Sequence, residues 1–396
     1  MNKWDCFEFM KVSLVHDYLR EYGGAERVVE VLHEMYPEAP LYTAFVDWES
    51  LGEFADKFRD WDIRTTWVDR NWLVKKYHSP LRFLTPLVWE SLDLSEYDVV
   101  ISSSGWYICR GIVTHPGQVH ISYIHHPPRN LYGFPTGTKP NGLVHAYATF
   151  INPFLRMYDY AAAQRVDYLV ANSETTRQRI WKFYRRDAEV IYPPVESQKS
   201  KVKSQKYLAK PDPASQDNLK FKSKDGYFLS VGRLNYAKRV DLAIRACNIL
   251  KLPLKIVGTG KEEMNLRSIS GPTIEFLGAV SDKELKTKYS GAKGLIFTAL
   301  EEDFGMVPVE AMNHGVPVIA LRQGGVRETV VEGRSGLFFN KPEVEEVVEV
   351  VRKFEKMKFD REVIVKQAQK FSKEVFVKKM GDFVTEKYRQ LQSSSK

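Results

Sequence analysis

The chain has 396 residues, which is enough for two or three domains with sizeable hydrophobic cores. Hydrophobic residues make up 43% and charged residues 27%, so the composition excludes a largely disordered protein. Cys6, Cys109 and Cys247 lie far apart without a C-x-x-C pair, which excludes a disulfide framework and a structural zinc site and favours a reducing compartment.

The net charge of +8 is a mild excess, because 58 basic residues are mixed with 50 acidic ones. No RNA- or DNA-binding motif accompanies it, so we expect a surface that tolerates anionic ligands and no nucleic-acid partner. No run approaches about 18 apolar residues, and Asp5 and Glu8 interrupt the position of a signal peptide. These features predict a cytoplasmic protein, with Met1 and Met10 both open as the start.

Apolar strand-like runs alternate with helical patterns over residues 11–195, as in a Rossmann-like domain. Gly23 and Gly24 follow the first run and precede a predicted amphipathic helix. The string Asn172-Ser173-Glu174 predicts an N-cap for a basic helix that runs through Phe183. The predicted strands are Val12–Val15, Val99–Ser102, Val119–Ile124, Tyr168–Ala171 and Val190–Tyr192.

Residues 196–226 are rich in Lys, Ser, Gln, Pro and Asp, and they read as a polar connector. A second parallel-sheet domain is predicted over 227–375, so the fold class is α/β with ligands at the carboxyl ends of strands. Residues 376–396 form a further amphipathic helix. The predicted strands of this half are Tyr227–Val231, Leu254–Val257, Thr273–Leu277, Gly294–Thr298 and Val316–Ala320.

Two strings approach known ligand motifs without matching them. Gly258-Thr259-Gly260 lacks the third glycine of a dinucleotide fingerprint, and Lys261 is not followed by the Ser or Thr of a P-loop. The D-x-D string Asp60-Trp61-Asp62 holds a metal in some enzymes, but here it lacks a preceding strand, so we predict no metal site.

The segment from Thr298 to Gly315 carries the clearest chemistry. Glu302 lies in a loop after a strand, and Pro308 is placed at the first position of the helix that contains Glu310. The free amides near Phe304, Gly305, Met306 and Val307 suit a diphosphate. Glu310 is also explained as an ordinary acid near a helix start.

A second cluster, Ser230–Arg239, follows the first strand of the second half. Gly232 permits a sharp turn, Arg233 offers a bidentate fork and Lys238 a mobile charge, which suit a diphosphate leaving group. A solvated basic turn explains these residues equally well.

The strings EEDFGMVPVEAMNHGVPVIA, SVGRLNYAKRVDLAI and GGVRETVVEGRSGLFF resemble the C-terminal domain of family 4 retaining glycosyltransferases. The N-terminal strings GGAERVV, YIHHPPR, NSETTRQRI and VIYPPV are also similar to that family, so the resemblance covers residues 11–391. It implies the GT-B fold: two Rossmann-like domains facing across a cleft, with the C-terminal helix crossing back to the N-terminal domain.

The resemblance also implies roles for the motif residues. Arg233 and Lys238 match the pair that stabilises the donor diphosphate, Glu302 the acid on the donor sugar, and Glu310 the acid on the ribose. The amides of Phe304 to Val307 would meet the sugar and phosphates. In the N-terminal domain, Gly23 and Gly24 match the loop that closes over the diphosphate, and His125 the histidine near the transferred sugar; His126 is open as an alternative, and Arg129 has no assigned use.

The implied reaction is a retaining transfer of a hexose without a metal or other cofactor, since the cations neutralise the leaving group. The donor is a nucleotide sugar as co-substrate, with GDP-mannose favoured over a UDP-sugar by the similarity to mannosyltransferases of polysaccharide assembly. Leu131-Tyr132-Gly133 replaces the aromatic-Trp-Asp string of many relatives, which leaves acceptor specificity open. A non-catalytic glycan-binding module and a sugar-nucleotide epimerase are the alternatives.

The acceptor is expected on the N-terminal domain, as a glycan or a lipid-linked glycan, in a monomer or a homodimer. Residues 67–89 mix Lys75, Lys76 and Arg82 with Trp72, Leu73, Phe83, Leu84 and Trp89. Such a stretch predicts either a peripheral contact with the inner face of the membrane or a core segment with solvated charges.

Overall fold

The computed structural model describes residues 10–137, 142–196 and 226–394. The chain divides into two units. The first combines the chain up to residue 134, residues 140–194 and the C-terminal segment from Lys373; the second combines residues 135–139 and 195–372. The connector predicted at 196–226 lies outside the described residues apart from its two end residues.

The first unit is built on a parallel sheet whose described strands run in the order β3-β2-β1-β4-β5-β6-β7. Because strands β1, β4 and β5 are buried along their whole length, they consist mostly of apolar or small residues, with the buried His16 and His120 as exceptions. The strands are β1 Val12–His16, β2 Leu41–Thr43, β3 Ile63–Thr65, β4 Val99–Ser104, β5 Val119–Ile124, β6 Tyr168–Ala171 and β7 Glu189–Val190.

Helices cover this sheet, and the longer ones follow the amphipathic patterns in the sequence. Ser173 caps its helix as predicted, because its side chain accepts a hydrogen bond from Thr176 N. The α-helices are α1 Gly24–Met35, α2 Trp48–Leu51, α3 Trp67–Arg70, α4 Trp72–Lys76, α5 Thr85–Trp89, α6 Gly142–Arg165 and α7 Glu174–Tyr184. Short 3-10 helices lie at Gly52–Lys57, Pro80–Leu84, Cys109–Gly111 and Arg129–Leu131.

The second unit repeats the design with the strand order β10-β9-β8-β11-β12-β13, again all parallel. The strands are β8 Tyr227–Val231, β9 Leu254–Val257, β10 Ile274–Gly278, β11 Ala292–Phe297, β12 Val318–Leu321 and β13 Gly336–Phe339. The helices are α8 Val240–Leu250, α9 Glu263–Ser268, α10 Asp282–Gly291, α11 Met306–Asn313, α12 Val326–Thr329, α13 Val344–Glu355 and α14 Arg361–Ala368, with 3-10 turns at Tyr236–Lys238 and Gln369–Phe371.

The C-terminal helix, α15 Lys373–Ser394, belongs to the first unit. Phe376, Met380 and Val384 are fully buried and pack in the same core as β1 and β4. The resemblance implied this return of the helix to the N-terminal sheet, and the packing confirms it.

The bounds differ from the predictions where the elements are short. Leu41–Thr43 and Ile63–Thr65 are strands of three residues that no sequence pattern marked. Helix α11 begins at Met306, so Pro308 occupies its third position and not its first, which corrects the prediction. Proline is tolerated there because the amides of the first turn have no partner inside the helix. Within the described residues, no helix is long and apolar enough to cross a membrane.

Candidate functional site

In both units the predicted residues lie near a topological switch point of the sheet, where the connections that follow two neighbouring strands run in opposite directions. In the second unit this is the junction of β8 and β11, and in the first it is the junction of β1 and β4. Open parallel sheets bind ligands at the carboxyl ends of strands beside such a junction.

The loop after β8 holds Arg233 and Lys238. Gly232 has a φ of +147°, and Asn235 caps the next 3-10 turn by accepting a hydrogen bond from Lys238 N at 3.2 Å. Arg233 is exposed and Lys238 is half-buried. The loop therefore fixes the backbone of both cations, and both residues remain at least partly exposed.

The Gly258-Thr259-Gly260 string, which failed as a nucleotide fingerprint, supports this same loop. A Cβ atom on Gly258 would stand 2.0 Å from Gly232 O, and one on Gly260 would stand 2.3 Å from Leu234 O. Leu234 N also donates to Thr259 O at 2.8 Å. These glycines are needed because two backbones approach each other closely.

The loop after β11 brings Glu302 to Lys238. Lys238 Nζ donates to Glu302 Oε2 at 2.7 Å, with 23% and 22% of the two side chains exposed. Gly325 N donates to Glu302 O at 2.8 Å, and a Cβ atom on Gly324 would stand 2.0 Å from that oxygen. The Gly324-Gly325 pair thus fixes the backbone of Glu302, which the sequence had shown only as part of a family motif.

Helix α11 follows directly. Its N-cap is Gly305, with a φ of +89° and no side chain to cover the amides of Met306 and Val307. Phe304 is buried against Phe371, with ring centroids 5.5 Å apart. The helix start therefore offers backbone donors next to Glu302, as an anion site requires.

Glu310 lies on α11 one turn beyond those amides. Its Oε2 accepts a hydrogen bond from Tyr289 OH at 3.1 Å, so its carboxylate is held by a tyrosine from α10. His314 Nδ1 lies 2.9 Å from the Glu310 carbonyl oxygen. Burial lowers the pKa of His314 below its ordinary value, so this histidine is neutral at pH 7.

In the first unit, Gly23 caps α1 and Gly24 begins it. Gly23 N donates to Glu26 Oε2 at 2.8 Å, so the carboxylate of Glu26 fixes the backbone at the start of the helix. Gly23 has an ordinary φ of −127°, and a Cβ atom there would lie 3.3 Å from Glu26 Oε2. Space beside Glu26, and not backbone strain, favours glycine at this position.

His125 directly follows β5 and is buried, with 8% of its surface exposed. Its Nε2 lies 2.7 Å from Ser103 Oγ, and its carbonyl oxygen accepts from Asn172 Nδ2 at 2.8 Å. His126 and Arg129 lie in the following loop and turn. Of the two adjacent histidines, His125 is therefore the one that a strand and a buried serine hold in place.

A chain of contacts continues from Ser103 to Glu26. His16 Nδ1 lies 3.0 Å from Ser103 O, and His16 Nε2 lies 3.5 Å from Glu26 Oε1. Burial alone lowers the pKa of His16, but Glu26, Asp17 and the Ser103 carbonyl together outweigh burial and raise that pKa above 6.5. The charged form of His16 carries a proton on each ring nitrogen. Because both neighbours of the ring are acceptors, this form can donate a hydrogen bond to each of them.

The structure thus brings the predicted residues together in two groups. Lys238 and Glu302 touch, with Arg233 on the loop of Lys238 and the α11 amides and Glu310 following Glu302. In the first unit, Gly23 is linked to His125 through Glu26, His16 and Ser103. Sequence reasoning missed these three linking residues, although an acid three positions after a helix-starting Gly23 is a known capping signal.

The D-x-D string has structural partners. Asp62 pairs with Arg64 at 2.9 Å, and Trp61 stacks on His33 with ring centroids 3.8 Å apart. In the part of the chain that the structure describes, no group of three or more His, Cys, Asp or Glu side chains is arranged to hold a metal ion.

Two family descriptions match the chain. Residues 22–199 match Glycosyltransferase Family 4, and residues 212–371 match Glycosyl transferases group 1. The two parallel-sheet units have the GT-B fold. More narrowly, the first half of the chain carries a domain of the family 4 glycosyltransferases, and the second half carries one of the group 1 glycosyltransferases.

Individual relatives agree with this assignment. An α-1,3/1,6-mannosyltransferase, alg-2 of Neurospora crassa, is 30% identical over 207 residues, which cover 43% of each chain. The chain spans less than half the length of the curated relatives it matches. The galactosyltransferase WaaB of the lipopolysaccharide outer core aligns with a TM-score of 0.65 and 17% identity over 96% of this chain and all of its own. HepE of Anabaena, solved with UDP and glucose, aligns with a TM-score of 0.63 and 18% identity over 95% of this chain and 99% of its own.

Proposed function

We propose that the protein transfers mannose from GDP-mannose to a hydroxyl of a glycan or a lipid-linked glycan, with retention of the anomeric configuration and without a metal. The observation that carries the proposal is the contact between Lys238 and Glu302 beside the uncapped start of α11. A cation, an acid and free amides at one junction of the sheet suit a sugar diphosphate, which is anionic at one end and rich in hydroxyls at the other.

In the proposed reaction the bond between the sugar C1 and the β-phosphate oxygen breaks, and its electron pair stays on the diphosphate. Arg233, Lys238 and the amides of Met306 and Val307 stabilise that growing charge, and each such donor is typically worth about 3 kcal/mol. Glu302 accepts from the sugar hydroxyls and Glu310 from the ribose. The acceptor oxygen bonds to C1 on the same face, and its proton passes to the departing phosphate oxygen.

The chemistry of the relatives supports the choice of donor only in part. The mannosyltransferase relative favours mannose, whereas HepE was solved with UDP and glucose, so a UDP-sugar is the second candidate. We also propose that His125, Gly23 and Gly24 of the first unit take part in the transfer. We further propose a cytoplasmic location, because Cys109 and Cys247 are both free and buried, as is usual in a reducing compartment.

The test is release of nucleotide from GDP-mannose and UDP-glucose, with glycan acceptors and with EDTA present throughout. We expect GDP-mannose to be consumed faster, acceptor to accelerate consumption, and proton NMR to show an α-linked product from the α-linked donor. Glu302→Gln should abolish turnover, while Glu345→Gln on the exposed face of α13 should not. Conversion of donor without acceptor would favour an epimerase, and inversion of the anomer would refute retention.

A further inference from the structure

The first unit exposes an unusual amount of apolar side chain. Phe150, Phe154 and Met157 of α6 are 74%, 68% and 69% exposed, and Trp72 of α4 is 70% exposed. At roughly 150–250 Å² for a large side chain, these four alone present on the order of 500 Å² of apolar area. Soluble monomers rarely leave a contiguous patch above a few hundred Å² without a use for it.

On α6 the exposed residues form one stripe. Tyr147, Phe150, Phe154 and Met157 follow the i, i+3, i+7, i+10 spacing of a helix face that normally lies against a core. Leu155 on the opposite face is buried, so the helix already packs against the unit with another side. The stripe is thus a second apolar face that points away from the core.

The stripe lies beside the aromatic stretch at residues 67–89. Tyr147 OH donates to Pro80 O, and α6 contacts the Pro80–Leu84 turn. Trp67 Nε1 donates to Leu87 O at 3.3 Å, which ties α3 to α5. We call the combined area the apolar surface; its exposed members are Trp67, Trp72, Leu73, Tyr77, Phe83, Leu87, Tyr147, Phe150, Phe154 and Met157.

Part of the predicted basic-aromatic stretch is core and does not belong to this surface. Trp89 is fully buried, and its Nε1 donates to Tyr107 O at 2.7 Å. Arg82 is 4% exposed and lies over the Trp106 ring at 4.6 Å. Lys75 pairs with Asp69 at 2.8 Å. Of the apolar residues that the sequence analysis named in that stretch, Trp72, Leu73 and Phe83 face outward.

The surface carries more positive than negative charge, because Asp69 beside Trp67 is already paired with Lys75. The sequence has no Asp or Glu between Asp69 and Glu90, and none between Asp98 and Asp159. Arg70, Lys76 and Arg156 are exposed within these two acid-free segments. Two copies of the surface would therefore repel one another, whereas an anionic partner would be attracted.

We propose that the apolar surface docks on an anionic phospholipid bilayer, with the aromatic and aliphatic side chains inserted at the level of the headgroups. Aromatic and aliphatic side chains flanked by lysine and arginine are the composition of surfaces that lie in the bilayer interface. Cations near an anionic leaflet add attraction that salt screens. The stripe on α6 extends the contact beyond the segment that the sequence indicated, and it does not depend on the identity of the donor.

The test is co-sedimentation of the full chain with vesicles of phosphatidylcholine alone and of phosphatidylcholine mixed with phosphatidylglycerol. We expect binding to the mixed vesicles at low salt, weaker binding at high salt and little binding to phosphatidylcholine. Phe150→Ser combined with Phe154→Ser should lower the partition coefficient at least about tenfold, because two inserted side chains are lost. Arg70→Glu combined with Lys76→Glu should lower it by a similar factor on the mixed vesicles only.

Matched controls lie in the second unit. Ile249 and Met264 are 59% and 83% exposed, so Ile249→Ser combined with Met264→Ser removes exposed apolar area elsewhere and should leave binding unchanged. Arg352→Glu combined with Lys353→Glu is the corresponding charge control on α13. Failure of the wild type to bind mixed vesicles, or equal binding by the Phe150/Phe154 variant, would overturn the proposal. A wild-type dimer that this variant converts to a monomer would assign the surface to self-association instead.

Discussion

The two units place polar residues at equivalent junctions of equivalent sheets, but they treat those residues differently. In the first unit, His16, Ser103 and His125 are buried and joined to one another by hydrogen bonds. In the second, Arg233 is exposed and Lys238 and Glu302 are about one-fifth exposed. One unit holds its groups in a fixed geometry, whereas the other keeps its charges accessible to an anion. Substitutions should therefore act on geometry in the first unit and on ligand charge in the second.

The largest effect is expected from the cations of the second unit. Arg233→Ala and Lys238→Ala should each lower kcat by about a hundredfold or more, since a lost donor to the leaving group is typically worth about 3 kcal/mol. The melting temperature should change little, because a partly exposed ion pair contributes at most about 1 kcal/mol. Single-turnover transfer of labelled sugar measures the effect, with Lys353→Ala as the control. Near-normal turnover in both variants would remove these residues from the mechanism.

A substitution that displaces the backbone of Glu302 tests whether the position of this residue matters for donor binding. Gly324→Ala forces a Cβ atom to within 2.0 Å of Glu302 O at a φ of +65°, so the loop must move. We expect a loss of roughly 2–4 kcal/mol in the free energy of unfolding, together with weaker donor binding.

Gly333→Ala is the matched control for that change. Its φ is +75°, but open space surrounds the new Cβ atom, so only the backbone strain of about 1–2 kcal/mol remains. Urea unfolding and donor titration separate the two variants. If the Gly324 and Gly333 variants lose the same stability and the same donor affinity, the close approach of Gly324 to Glu302 O does not affect donor binding.

The first unit is tested by the serine that touches His125. Ser103→Ala should lower kcat about tenfold with little change in the KM for donor, because His125 loses the partner that orients its ring. Ser102→Ala is the control, since Ser102 is equally buried on the same strand but contacts His120 and Ser122. Equal losses in the two variants would mean that only packing is involved.

The smallest expected effect is a pH dependence of stability. The folded pKa of His16 is raised, so its contribution is complete below pH 6.5 and is lost as the pH rises through the folded pKa. The stability difference between wild type and His16→Gln should therefore shrink above pH 6.5. Burial lowers the pKa of His120 to about 3, so the difference for His120→Gln should shrink as the pH falls below 6.5. Parallel pH trends for the two variants would contradict these contacts.

Much of the fold could be predicted because buried parallel strands are continuous apolar runs. Val119–Ile124, Tyr168–Ala171, Tyr227–Val231 and Leu254–Val257 have the predicted bounds. Strands of three residues, such as Leu41–Thr43, are too short to show a pattern. The same argument explains Pro308: a proline fits any position of the first helical turn, so it marks a helix start only within a few residues.

In the candidate site, too, some residues could be predicted from the sequence and others could not. Arg233, Lys238, Glu302 and Glu310 come from compact motifs, so the sequence could propose them together. The link from His16 to Ser103 joins residues 87 positions apart, and such a contact depends on which strands are neighbours in the sheet. The sequence could not predict solvent exposure either. Trp72 and Trp89 belong to one aromatic stretch, but Trp72 lies on the surface and Trp89 lies in the core.

We expect the second unit to bind a nucleotide sugar through Lys238 and Glu302. Thermal unfolding of the wild type and of Lys238→Ala, with GDP, UDP, ADP and their sugars in EDTA, is the measurement that decides this. Ligand at about 100 Kd contributes roughly 2.7 kcal/mol, which is a clear shift of the melting temperature. We predict a shift with the guanosine ligands in the wild type and its loss in Lys238→Ala. No shift with any nucleotide, either in EDTA or with Mg²⁺ or Mn²⁺, would contradict the claim.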